Sequence, residues 1–178
     1  RDMVIKGIAD KSDGRLLGVQ IIGEQGGDKR LDVFATAITF GAKAEDLFHL
    51  DLGYAPPFST AKDPVAYTGM ILDNAINRGR ELITPREYDE LAKSDEKHLL
   101  LDVRDPFLYR KSHLENAQNI PLAILRKELA NMDKGLLTVA YCNRGVTSNA
   151  AQNVLINKGF TKVLNLSGGL TLYNRVKK

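Results

Sequence analysis

The chain of 178 residues has one cysteine, no tryptophan and three histidines. A lone cysteine excludes an intramolecular disulfide framework and any zinc site built on several thiolates. Charge of one sign is lacking too. The 25 Lys and Arg against 22 Asp and Glu leave a net of +3, too weak to argue for a nucleic-acid partner. Long apolar runs are missing: the LLL at 99–101 falls far short of the roughly 20 residues of a membrane-crossing helix. Arg1-Asp2-Met3 opens on a mixed segment, without the apolar stretch of a signal peptide. The expected setting is therefore a reducing cytoplasm, away from membranes. A first residue of Arg is read as a fragment or processed product. What is present, 43% hydrophobic and 26% charged residues, suits one globular domain or two small ones.

Charge divides the chain. Residues 1–80 carry ten basic and eleven acidic side chains, and residues 81–178 carry fifteen and eleven. From Lys134 to Lys178 there are seven basic residues and no acidic one, with the single cysteine inside that stretch. The expectation is a positive field around Cys142.

The first part reads as a hairpin followed by helices. Residues 3–9 and 15–23 are β-like around an Asp13-Gly14 turn. Leu31, Phe34, Ile38 and Gly41 share a helical spacing. Pro56 and Pro57 forbid regular structure after Gly53-Tyr54-Ala55. Asp63-Pro64 supplies an N-cap and a first-turn proline for a helix to about Asn77. This half holds no G-x-G-x-x-G, no C-x-x-C and no metal-ligand spacing, so no metal site is expected.

The second part alternates strand and helix. Thr84-Pro85-Arg86-Glu87 is a capping box, 98–103 a buried strand, and Asp105-Pro106 a helix start. Asn119-Ile120-Pro121 leads to a helix around 122–129. A strand over 136–141 runs into Cys142, and a helix over 148–159 is stopped by Gly159. A strand near 162–166 and a last helix after Ser167-Gly168-Gly169 complete it. Such alternation within about 95 residues predicts a parallel α/β sheet with helices on both faces. Expected boundaries are a first domain at 1–78, a linker at 79–83 and a second domain at 84–178.

Cys142 lies at the carboxyl end of a strand, followed by Asn143, Arg144, Gly145, Val146, Thr147 and Ser148 and a helix start. Ligands of open α/β sheets bind at that end. A loop feeding a helix start can aim several N–H groups inward as an anion cradle. A thiolate held there is stabilised and made reactive, with Arg144 beside it.

Several separated motifs make residues 84–178 resemble a rhodanese domain. They are Leu101-Asp102-Val103-Arg104-Asp105-Pro106, then His113-Leu114 with Ala117 and Asn119-Ile120-Pro121, then Cys142 with Gly145, and finally Asn165-Leu166-Ser167-Gly168-Gly169. The resemblance implies a cysteine that carries sulfane sulfur as a persulfide from a donor to a thiol acceptor. Residues 143–148 would cradle the anion, while Asp102, Arg104 and His113 would organise the fold. One departure stands out: the family's C-x-x-x-x-R arginine corresponds to Thr147, which disfavours a dianionic donor such as thiosulfate. It also leaves open a second reading, a catalytically weak docking or regulatory module. The C-x₅-R loop of phosphatases is absent, since position 148 is serine.

Residues 1–78 resemble the C-terminal dimerisation domain of pyridine-nucleotide disulfide oxidoreductases, in the coenzyme A-disulfide reductase and NADH oxidase branch. The carrying residues are Leu17 to Gly23, Asp32 with Ala35-Thr36-Ala37, and Leu52 through Ser59 with Asp63-Pro64. The resemblance implies a homodimer, upstream reductase domains that hold FAD and NAD(P)H, and coenzyme A as a sulfur acceptor. This chain would itself hold no cofactor. Tyr54 would approach the partner's redox centre.

Overall fold

The computed structural model describes residues 3–57 and 60–177. Phe58 and Ser59, which close the proline-rich motif, and Lys178 lie outside the described residues, as do Arg1 and Asp2. The chain forms two compact units, Arg1–Gly79 and Arg80–Lys178.

In the first unit, β1 (Met3–Ala9) and β2 (Leu16–Gly23) pair antiparallel. Gly14 reverses the chain at φ 79°, the left-handed region open to glycine. Helix α1 spans Gly27–Thr39, starting earlier than the apolar periodicity indicates. A short helix α2, Ala44–His49, has no counterpart in the sequence reading. It is opened by Asp46, whose carboxylate accepts from the Lys43 N–H at 2.7 Å, and six residues are too few to display a period. Helix α3, Pro64–Asn77, begins as expected at Asp63, which accepts from Val65 N at 2.9 Å and pairs with Arg30 at 2.8 Å. Leu16, Phe34, Leu47 and Val65 are the buried core of this unit. Gly69 lets α3 approach α2, since a Cβ there would stand 2.6 Å from Leu47 Cβ.

The second unit is a five-stranded sheet in the order β3-β7-β6-β4-β5, with every pair parallel. Its strands are β3 (Leu82–Ile83), β4 (His98–Asp102), β5 (Gln118–Asn119), β6 (Leu137–Tyr141) and β7 (Val163–Leu166). Between them run α4 (Pro85–Lys93), α5 (Pro106–Lys111), α6 (Leu122–Glu128), α7 (Val146–Asn157) and α8 (Gly169–Val176). One core gathers Leu125, Ala151 and Leu155 of α6 and α7 under the sheet. The other gathers Tyr88, Leu170 and Tyr173 of α4 and α8, so both faces are covered as expected. Tyr173 donates to Asp89 Oδ1 at 2.5 Å, tying α8 to α4.

Three expectations are corrected. Leu82 and Ile83, read as linker, are the edge strand beside Asn165 and Leu166; two residues carry no periodicity, and pairing alone makes them a strand. Helix α7 begins at Val146 rather than Ser148, because Gly145 at φ 96° already turns the chain. Asn119, read as the start of a lead-in through Pro121, closes a two-residue strand, Gln118–Asn119, beside Leu101 and Asp102.

Candidate active site around Cys142

Parallel pairing brings the carboxyl ends of β4, β6 and β7 to one edge of the sheet, and Cys142 follows β6 there. The residue is 4% exposed, and its sulfur belongs to the α6–α7 face of the core. Gly145 N donates to Sγ at 3.2 Å, and the Ser148 hydroxyl lies 3.4 Å from it. Backbone N–H groups of Ser148 and Arg144 also point at the sulfur. Burial pushes the thiol up, but these donors outweigh it and hold Cys142 below the ordinary thiol range, the Ser148 hydroxyl foremost.

The cradle is shaped from behind. Leu170 N donates to Cys142 O at 2.9 Å and Thr171 N to Asn143 O at 3.0 Å. The first turn of α8 thereby binds these carbonyls away from the sulfur, which leaves loop N–H groups free to face it. Such close approach needs Gly169: a Cβ there would come 2.7 Å from Asn143 C and 2.8 Å from Arg144 N.

Asp102 and Arg104 form a buried pair, 2.6 Å between Nη2 and Oδ2, with the Asp102 side chain fully enclosed. Arg104 also donates to Ser112 O at 2.6 Å and to Asn143 Oδ1 at 3.1 Å. His113 stands apart from that network. It is exposed, stacked on Tyr109 at 4.0 Å, and bonded through Nδ1 to Tyr109 O. Val146 and Thr147 are exposed on the first turn of α7. Tyr54, in the other unit, is 54% exposed and lines a cavity of about 590 Å³ with Arg30 and Leu52.

The expected field around Cys142 is corrected. Lys162 and Lys134 sit at the opposite end of the strands, where Lys162 O accepts from Thr138 N and Lys134 O from Thr161 N. Thr138 and Cys142 are four residues apart on an extended chain, roughly 13 Å, beyond the Debye length of about 8 Å at physiological salt. Arg144 is the basic residue of the loop itself. Lys177 pairs with Asp89 instead.

Two contributors belong to the closing motif, to which the sequence reading gave no role at the sulfur. Asn165 accepts from Ser148 Oγ at 2.7 Å, and the first turn of α8 holds the loop carbonyls. A polar residue inside the otherwise apolar run Val163-Leu164-Asn165-Leu166 was the available signal for the first. Among the described residues no cluster of three or more His, Cys, Asp or Glu could hold a metal. Nor is any helix among them long and apolar enough to cross a membrane.

Comparison with known proteins agrees with this geometry. Residues 84–175 match the rhodanese-like domain family, and residues 1–81 match the dimerisation domain of pyridine nucleotide-disulphide oxidoreductases. The solved structure of reduced Bacillus anthracis CoADR-RHD superposes with a TM-score of 0.90 at 36% identity, over 98% of this chain and 31% of that one. A NAD-dependent persulfide reductase from A. fulgidus gives 0.79 at 32% identity, over 95% and 30%. The NAD(P)H sulfur oxidoreductase (CoA-dependent) of Pyrococcus furiosus is 40% identical over 40% of this chain and 16% of its own length. The chain thus spans less than a third of each of these relatives.

Proposed function

Given that the chain belongs to the rhodanese-like domain family through residues 84–175, we propose that Cys142 carries sulfane sulfur as a persulfide. The observation that supports this most directly is the buried thiol ringed by loop N–H groups, a site built for a sulfur anion. The Cys142 thiolate attacks the outer sulfur of a persulfide or polysulfide. An Sγ–S bond forms, the donor's S–S bond breaks, and the electron pair leaves on the donor thiolate. An acceptor thiolate then attacks the outer sulfur, and the pair returns to Sγ. No net oxidation or reduction occurs in either step.

Similarity across both units to a NAD-dependent persulfide reductase, with similarity over 40% of the chain to a CoA-dependent NAD(P)H sulfur oxidoreductase, supports a place for this chain in a homodimeric NAD(P)H- and FAD-dependent reductase. The acceptor would then be coenzyme A or that enzyme's own thiol. The residues present do not fit the two redox cofactors. G-x-G-x-x-G is absent from the sequence, and the parallel sheet described here is committed to the Cys142 loop. On this reading Tyr54, exposed in the first unit, approaches the partner's redox centre.

Thr147 in place of the loop arginine supports a second reading, a weak rhodanese that acts as a docking module. Intact mass after exposure to polysulfide separates the two. The carrier gains about 32 Da on Cys142 per sulfur atom, removable by dithiothreitol. A reactive thiol that never gains sulfur would overturn the carrier reading.

A further inference from the structure

We infer that Asn165 is a positioning residue for Cys142, acting through the Ser148 hydroxyl, whose single proton is shared out between the sulfur and the Asn165 carbonyl. Both side chains are buried. Asn165 lies on β7, opposite Ala140 of β6. Its Nδ2 donates to Gly145 O at 3.1 Å, which fixes the amide and turns Oδ1 toward Ser148, 2.7 Å from Oγ. Reversing the amide would set two carbonyl oxygens against each other. Gly145 O also lies 3.1 Å from Ser148 Oγ, but it already accepts from Asn149 N at 3.0 Å and from Asn165. A carbonyl has two lone pairs. The hydroxyl proton is therefore left two destinations, Asn165 Oδ1 and Cys142 Sγ.

The charge on sulfur decides between them. With a neutral thiol the hydroxyl donates to Oδ1, the shorter contact, and can accept the S–H. With a thiolate it turns to Sγ, because a bond to a charged acceptor is the stronger, and the buried Oδ1 loses its donor. Leaving that carbonyl bare has a cost, so Asn165 restrains ionisation that Ser148 promotes. If Cys142 carries sulfur as proposed above, the charge of the persulfide lies on the outer atom and the proton returns to Asn165. As the outer sulfur departs and the pair returns to Sγ, the hydroxyl swings back to the leaving thiolate. The role in transfer rests on that reading; the hydrogen-bond exchange does not. Neither α7 nor β7 carries an ionisable side chain of its own, and Arg80 reaches α7 from outside at Asn153. Those on the other neighbouring elements are Arg144 in the loop, Tyr141 on β6, the Asp102–Arg104 pair of β4 and its loop, Glu81 before β3, Arg126, Lys127 and Glu128 on α6, and on α8 Tyr173, bonded to Asp89, with Arg175.

The test is the pH profile of iodoacetamide alkylation in the full chain, where one cysteine makes the readout unambiguous. Ser148→Ala should raise the midpoint, and alkylation below it should slow about tenfold for every pH unit by which the midpoint rises. Asn165→Leu should lower it, and the double variant should match Ser148→Ala alone. Equal displacements from Asn165→Leu with and without the hydroxyl would overturn the inference. Should the leucine disturb folding, Asn165→Ala takes its place with the same expected directions. In the unsubstituted chain the Asn165 side-chain amide NMR signals should also move with the thiol titration, and lose that response in Ser148→Ala; a response that survives in Ser148→Ala counts against the inference. Alkylation needs no sulfur transfer. A midpoint that behaves as expected without persulfide formation therefore rejects the carrier reading alone, and the converse rejects the positioning role alone.

Discussion

Arg104 Nη1 donates to Asn143 Oδ1 at 3.1 Å, so the buried ion pair at the end of β4 grips the residue that follows the cysteine. The Asp102–Arg104 motif thus reaches the loop through one side chain and acts on the shape of the cradle.

Removing that grip should be costly. Arg104→Ala leaves Asp102 enclosed without its cation, and breaking a buried pair costs about 3–5 kcal/mol. Urea unfolding of the 80–178 unit, assigned by hydrogen exchange, measures it. A loss below about 1 kcal/mol would show that water or another donor compensates Asp102.

Gly169→Ala should damage the loop more than the rest of the fold. The residue sits at φ 58°, where a side chain costs about 1–2 kcal/mol, and its methyl would push on Asn143 and Arg144. Persulfide loading should fall by more than tenfold while circular dichroism stays close to that of the parent. Unchanged loading would mean that the α8 turn does not shape the cradle.

Thr147→Arg should raise turnover with thiosulfate more than with persulfides. Position 147 is exposed on the first turn of α7, where a guanidinium can meet a dianion entering the loop. Initial rates with the two donors give the ratio. If that ratio is unchanged, position 147 does not face the donor.

Alkylation of Cys142 should reach its plateau at a pH below that of a free thiol, because the loop donors lower the folded value. The same lowering links to stability. A folded value below the unfolded one contributes stability present above the unfolded value and lost as pH falls through the folded one. Unfolding free energy should therefore rise with pH across that window, and Cys142→Ala should lack the rise.

Asp63→Ala should loosen the first unit by about 1–2 kcal/mol as the cap of α3 is lost, with the ion pair to Arg30 removed as well. Thermal unfolding monitored at residues of α1 and α3 by hydrogen exchange reads the effect, and the 80–178 unit should be unmoved.

Local chemistry wrote much of this protein legibly into its sequence. The caps at Asp63, Thr84 and Asp105 each hold a backbone N–H where expected. The apolar strand 137–141 and the glycine after the cysteine located the loop, because each of these signals acts over a few residues. Pairing across the sheet decided the rest. It made a strand of Leu82–Ile83, carried Lys134 and Lys162 away from Cys142, and set Asn165 against Ser148, 17 positions apart. The sequence by itself determined that a cysteine would stand in a helix-start loop at the end of a parallel strand. Only the tertiary structure decided which groups surround its sulfur, because hydrogen bonds and screened charges act through distances in space that sequence separation does not set.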